Sequence, residues 1–216
     1  MTRAVVFSNG EYCDLSGVKR RLLPDDWLIC ADGALAKVMA MDLLPDLLIG
    51  DFDSVSPELL QQADNLGVRR LTMPAEKDFT DTDLALRAAV DAGYRDILLV
   101  GAFGGRLDHA LANLFILPPF VRQGVRIALT DGETDVHLVT AGLTLTDCRE
   151  RVVSLLPLTE QVSGVTLEGF YYPLHNHTLR WGDSIGISNV PLQDEVSVRM
   201  DAGILLVIVS DAARTA

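Results

Sequence analysis

Cysteine is scarce in this chain, and so is lysine. The three cysteines, Cys13, Cys30 and Cys148, are odd in number and share no CxxC spacing, which argues against a disulfide framework or a zinc site. Cys30 stands in an apolar run and reads as a small core residue. Lysine occurs only at Lys19, Lys37 and Lys77, and the formal net charge is −12. Proteins that grip a nucleic-acid backbone carry basic faces, so no nucleic-acid partner is expected. The longest apolar run, Ile204 to Val209, falls far below the roughly 20 residues that span a bilayer, so no membrane partner is expected either. There is no GxxxxGK[ST] and hence no P-loop. Met1-Thr2-Arg3 leads straight into Ala4-Val5-Val6-Phe7, which is too short for a signal peptide and reads as a first strand. A cytoplasmic protein is expected.

What is present is a core and a regular grammar. Nearly half of the 216 residues are apolar, enough for one large domain or two small ones. Over the first ~120 residues an apolar strand, a Gly or Asp turn and a helical segment recur. Strands are read at Ala4–Ser8, Trp27–Cys30, Asp46–Ile49, Arg69–Met73 and Asp96–Val100. Alternating strand and helix predicts an α/β unit, a mostly parallel sheet with helices on both faces. Ligands bind such sheets beyond the carboxyl ends of the strands. Thr80 with Asp83 has the form of a capping box, and that helix runs to Gly93. A second helix runs from Arg106-Leu107-Asp108 to about Leu117, stopped by Pro118-Pro119.

Beyond residue 130 the grammar changes. Short strands are read at Val136–Val139, Leu143–Leu145, Val152–Leu156, Val165–Glu168, Leu179–Trp181, Ser184–Ser188, Val196–Met200 and Ile204–Val209. Their alternating polarity predicts a small all-β sandwich or barrel. The domains expected are therefore 1–130, α/β, and 131–216, all-β.

The chemistry concentrates in two acidic clusters, Gly50-Asp51-Phe52-Asp53-Ser54 and Lys77-Asp78-Phe79-Thr80-Asp81-Thr82-Asp83. Carboxylates this dense repel one another, and a divalent cation relieves the repulsion. Mg²⁺ is the usual choice beside phosphates. In extended chain the side chains of Asp51 and Asp53 point the same way, and Asp32 follows the second strand nearby. Asp81, one position inside the helix, is a further ligand candidate. Asp78 precedes the helix, where capping does not need it; Asp83 is explained by capping. Lys77 is either a local salt-bridge partner or part of the site. Gly101-Ala102-Phe103-Gly104-Gly105-Arg106 leads from strand to helix. Glycines there let backbone N–H groups approach a phosphate, and Arg106 adds a forked donor. Arg106, His109 and Asn113 share a helical face beside Asp108. His175-Asn176-His177 is read as a solvated hairpin loop. Ser188-Asn189 either offers hydrogen bonds to a ligand or makes a turn.

Taken in order, Asp32-Gly33-Ala34, Gly50-Asp51-Phe52-Asp53-Ser54, Lys77-Asp78-Phe79-Thr80-Asp81, Gly104-Gly105-Arg106-Leu107-Asp108-His109 and Gly186-Ile187-Ser188-Asn189 resemble the thiamine pyrophosphokinase (thiamine diphosphokinase) family. The resemblance implies an N-terminal α/β nucleotide-binding catalytic domain and a C-terminal β-sandwich that binds thiamine. It implies a homodimer with thiamine where the subunits meet. It implies attack of the thiamine hydroxyl on the β-phosphorus of ATP, giving thiamine diphosphate and AMP. By position, Asp51, Asp53 and Asp81 resemble the Mg²⁺ ligands, with Asp32 close by. Asp78, Thr80, Gly104, Gly105 and Arg106 resemble the nucleotide side, and Asp108, Ser188 and Asn189 the thiamine side. The chain differs from the family pattern at Val190-Pro191 and at Phe170-Tyr171-Tyr172, which leaves Trp181, Tyr171 or Tyr172 to stack on the thiamine ring.

Such transfers need positioning and charge neutralisation more than covalent help. Arg106 or Lys77 would steady the remaining phosphate oxygens; Asp78 and Asp81 are candidates for the base. Two alternatives remain. One is a Mg²⁺-dependent phosphatase with Asp51 as nucleophile and Asp53 as acid/base. The other is a nucleotide- or thiamine-sensing module without turnover.

Overall fold

The apolar runs that end in Gly or Asp become strands buried on both faces, because helices cover each side of the sheet they form. A computed structural model describes residues 2–74 and 78–211. The chain divides into two compact units, Met1–Gly132 and Glu133–Ala216.

In the first unit the strands are β1 (Ala4–Phe7), β2 (Trp27–Ala31), β3 (Leu47–Gly50), β4 (Arg69–Thr72), β5 (Asp96–Val100) and β6 (Arg126–Thr130). The helices are α1 (Leu15–Arg21), α2 (Leu35–Ala40), α3 (Pro57–Asn65), α4 (Asp81–Asp91), α5 (Leu107–Phe115) and α6 (Pro118–Arg122). The strands lie in the order β4-β3-β2-β1-β5-β6, and every pair among them is parallel. The chain steps outward from β1 to β4, then returns to the other side of β1. The crevice between β1 and β5 is therefore a topological switch point, where the loops leaving neighbouring strands diverge and leave room for a ligand. On one face Val5, Phe7, Cys30, Leu48, Leu98 and Val100 pack with Val18 of α1, Leu35 and Val38 of α2 and Ala63 of α3. Helix α4 packs on β1, β2 and β3, and none of its residues joins that cluster, so it covers the opposite face. A buried bond of 2.8 Å between the Ser8 and Thr82 hydroxyls ties the start of α4 to the end of β1.

β6 is a sixth strand, preceded by the short helix α6. Pro118 and Pro119 do not only stop α5; they open α6 at its first two positions. Proline is tolerated there because those N–H groups have no intrahelical acceptor.

The second unit holds β7 (Asp135–Val139), β8 (Gly142–Leu145), β9 (Arg151–Pro157), β10 (Gln161–Glu168), β11 (His177–Arg180), β12 (Val196–Arg199) and β13 (Leu205–Asp211). β7, β13 and β9 run side by side and antiparallel. A separate four-stranded antiparallel sheet has the order β11-β10-β12-β8. Alternate residues of both sets, among them Val153, Leu155, Val165, Leu167, Val196, Val198, Leu205, Val207 and Val209, form one buried cluster. That is the period-2 pattern of a sandwich core.

The segment 184–188 is not a strand. It forms turns, with Ser188 at φ 54°. Ser-Ile-Gly-Ile-Ser alternates like a strand, yet Ile185 and Ile187 are exposed rather than packed into the core. The segment is held instead by the Leu155 N–H donating to Gly186 O and the Ser188 N–H donating to Ser154 Oγ. No helix among the described residues is long and apolar enough to cross a membrane.

Candidate active site

Three carboxylates meet at the carboxyl ends of β2 and β3. Asp32, Asp51 and Asp53 each offer an oxygen, and these atoms lie within 4.8 Å of one another. The means differs from the sequence expectation. The segment from Asp51 to Asp53 is not extended, since Phe52 sits at φ 65°. The chain turns at Phe52, the Asp53 N–H donates to Asp51 Oδ1 at 3.3 Å, and Ser54 Oγ donates to Asp53 Oδ1 at 2.9 Å. Asp32 opens a 3₁₀ turn directly after β2 at φ 37°. A Cβ on Gly50 would stand 2.8 Å from Asp32 Cβ, so only glycine lets β3 approach the Asp32 turn this closely.

Asp32 is 7% exposed, and its Oδ1 is buried with no hydrogen-bond partner. Burial pushes its pKa up. The Ser54 hydroxyl opposes that shift, and the charges of Asp81 and Asp51 reinforce it. A buried acceptor without a donor, ringed by other carboxylates, is unfavourable until a cation supplies the missing charge. The all-oxygen donor set suits Mg²⁺. Asp81 is adjacent to this trio, close enough to act on Asp32 electrostatically, but is not part of it.

Beside the trio opens a cleft of about 790 Å³. Its walls come from the loop after β1, the turn after β2, the first turn of α4 and the loop from β5 into α5. Asp32, Thr80, Asp81, Gly104, Gly105, Arg106, Asp108, His109 and Asn113 all line it. Thr80 is the N-cap of α4, its hydroxyl accepting from the Asp83 N–H at 3.2 Å. The reciprocal half of a capping box is absent, because the Asp83 carboxylate pairs with Arg87 at 2.8 Å. Asn113 is buried and donates to Ala102 O at 2.8 Å, pinning the glycine loop to α5. Arg106 donates to both oxygens of Asp108, at 2.6 and 3.2 Å. That guanidinium holds the Asp108 carboxyl down to about 2. The nucleotide-side and thiamine-side candidates of α5 are thus one ion pair. Asp78 is exposed just ahead of α4, and Lys77 lies outside the described residues.

Ser188 and Asn189 belong to the second unit. They line a smaller cleft of about 450 Å³ with Tyr172, Leu174 and Ile185 to Ile187. Asn189 is buried and its amide is spent on backbone: Nδ2 donates to Tyr172 O, and Oδ1 accepts from the N–H groups of Tyr172 and Val190. The Ser188 side chain is exposed.

The cleft also contains residues absent from every motif: Ser8, Asn9, Glu11 and Lys37. Asn9-Gly10 is visible in sequence only as the turn after β1. Its place between the β2 turn and the β5 loop follows from strand order. Lys37 lies on α2, and burial pulls its pKa down against the opposing charge of Glu11.

Two family models match the chain in order. The model for the thiamin pyrophosphokinase catalytic domain matches residues 18–129, and that for the vitamin B1 binding domain matches residues 142–205. A thiamine pyrophosphokinase of Bacillus subtilis is 29% identical over 204 residues, covering 90% of this chain and 95% of that protein. The crystal structure of thiamine pyrophosphokinase from Bacillus subtilis superposes with a TM-score of 0.87 at 26% identity, over 98% of this chain and 99% of that one. That of thiamin pyrophosphokinase from Geobacillus thermodenitrificans superposes with a TM-score of 0.82 at 32% identity, over 98% of each. With the catalytic model spanning more than half of its residues and the relatives matched almost end to end, the chain belongs to the thiamin pyrophosphokinase family of enzymes.

Proposed function

We propose that this enzyme transfers the pyrophosphoryl group of ATP to the hydroxyl of thiamine, giving thiamine diphosphate and AMP. The observation that carries the reading is the trio Asp32, Asp51 and Asp53, with an orphaned buried oxygen on Asp32, at the mouth of a cleft set on the sheet's switch point. Asp32, Asp51 and Asp53 would hold Mg²⁺, with Asp81 the next carboxylate; the ion supplies charge neutralisation to the phosphate oxygens. The chain's own groups do the positioning. Gly104 and Gly105 leave backbone N–H groups open beside the cleft, and Arg106 presents a fork of donors at the start of α5. Thr80 and Asp78 flank the polyphosphate from the start of α4, and Lys77 belongs to the same segment. Asp78 and Asp81 are the candidates to receive the hydroxyl proton.

In this reading residues 1–130 form the catalytic nucleotide domain and 131–216 the thiamine domain. Ser188, Asn189 and Asp108 serve thiamine. Asn189 acts through backbone, since its amide builds the wall of the smaller cleft rather than facing it. The working enzyme is a homodimer, and its use of ATP fits a cytoplasmic setting. The experiment is chromatography of the nucleotides after mixing the chain with thiamine, ATP and Mg²⁺. AMP appearing with thiamine diphosphate is the expected result. Inorganic phosphate would indicate a phosphatase, and unchanged ATP a binding module. Asp51→Asn should lower AMP formation by about a hundredfold or more while the circular dichroism spectrum is unchanged. Near-normal turnover would remove Asp51 from the reaction.

A further inference from the structure

Asn9 and Lys37 have no role in the reading above, yet both line the cleft. The Lys37 ammonium donates to Asn9 O at 2.9 Å, to Asn9 Oδ1 at 3.0 Å and to Gly10 O at 2.6 Å. It also stands 5.2 Å from the centroid of the Tyr12 ring. An ammonium has three N–H bonds and no lone pair. Three acceptors use all three, and none remains for a ligand. The same chemistry fixes the Asn9 amide. Only its oxygen can face an ammonium, so Nδ2 must turn away from Lys37. It turns onto the Asp32-Gly33 turn: a Cβ on Gly33 would stand 2.5 Å from Asn9 Nδ2 and 3.3 Å from Ser54 Cβ. Among the described residues Nδ2 donates to nothing, while Asn9 is exposed to the cleft.

We propose that Asn9 Nδ2 donates a hydrogen bond to a polyphosphate oxygen of the nucleotide, and that Lys37 is the positioning residue that holds the amide for it. This rests on the pyrophosphoryl-transfer reading. The cleft has more acceptors than donors: Asp32, Asp81, Glu11 and Asp108 line it, and Asp108 takes up part of the Arg106 donor fork. A phosphate oxygen that does not touch the cation needs an N–H partner. A neutral amide provides one without being captured by the neighbouring carboxylates. Its reach is right as well, since the amide abuts Gly33 of the Asp32 turn, and Ser54, which bonds to Asp53, lies against that same glycine. Fixing the amide in advance removes the entropy of orienting it when the ligand binds.

The test uses the full chain with Mg²⁺ and a non-hydrolysable ATP analogue, followed by calorimetry, together with steady-state kinetics. Asn9→Asp replaces the amide NH2 with a carboxylate oxygen, adding one negative charge, and keeps the oxygen that Lys37 holds. Asn9→Ala, Lys37→Met and the double variant complete the set. Asn9→Ala and Lys37→Met should each raise the analogue's Kd and the KM for ATP about tenfold, the usual worth of one such bond. Asn9→Asp should weaken binding at least as much, and KM for thiamine should stay unchanged in all. Because Lys37 acts through Asn9, the double variant should be no worse than Asn9→Ala. Three results would overturn the proposal: analogue binding unchanged in Asn9→Asp, losses that add in the double variant, or equal rises in both KM values. An unaltered chain that binds the analogue but yields no AMP would sink the reaction and leave the Asn9 contact standing.

Discussion

Asp32 combines three properties that each oppose folding. It is buried, it adopts a left-handed backbone conformation at φ 37°, and one of its oxygens lacks a donor. Backbone strain of this kind costs about 1–3 kcal/mol and persists where a ligand or the surrounding structure compensates. Asn tolerates the left-handed region as Asp does, so Asp32→Asn isolates the charge. In the presence of a chelator the variant should melt higher than the unaltered chain by about 2 °C or more, since a buried like-charge repulsion is gone. Added Mg²⁺ should raise the melting temperature of the unaltered chain and leave that of the variant almost unmoved. Thermal shift with and without the ion reads both, and an equal Mg²⁺ response in the two proteins would take Asp32 out of the proposed metal site. The acidic cluster itself was legible from Gly50-Asp51-Phe52-Asp53-Ser54. Its geometry was not, because the turn at Phe52 puts a bulky residue where sequence statistics favour glycine.

At the scale of elements, most boundaries followed from chemistry that acts locally. Thr80 caps α4, Gly93 follows that helix at φ 96°, and the buried strands end at Gly or Asp. Two places departed from the local pattern because packing overrode it, segment 184–188 and β6. Segment 184–188 alternates correctly but has no strand to pair with along its length. β6 begins with Arg126 and is short, so its burial comes from lying beside β5. β7 carries His137 opposite Val207 of β13. Burial lowers the His137 pKa, against the pull of Asp135. The folded chain therefore resists protonation that the unfolded chain accepts at about pH 6.5. The sign follows: stability is fully present above the unfolded value and is lost as pH falls through the lower folded one. Denaturant midpoints measured between pH 7.5 and 5 should fall less steeply in His137→Gln than in the unaltered chain. Parallel curves would show that His137 contributes nothing to acid sensitivity.

For the whole molecule, exposed apolar side chains point to association. Leu107, Leu111 and Phe115 recur at four-residue spacing on α5, and Leu107 is 72% exposed. Tyr171, Tyr172 and Trp181 are each more than 60% exposed in the second unit. Monomers seldom leave so many large apolar groups in water. Sedimentation equilibrium should give twice the 23.5 kDa chain mass, and specific activity should fall on dilution as the dimer dissociates. A monomer with full specific activity would refute the homodimer. The sequence alone determined the local facts: which runs are buried strands, where helices are capped, which acids are clustered, and the family that their order resembles. These depend on residue type and on spacing within a few positions. Only the tertiary structure decided that Asp32, rather than Asp81, completes the trio with Asp51 and Asp53, and that Asn9 and Lys37 line the cleft beside it. That grouping comes from the strand order β4-β3-β2-β1-β5-β6, which gathers loops far apart in the chain at one rim of the sheet. Strand order is settled by how helices and strands bury one another's apolar faces, and no short stretch of sequence carries that information.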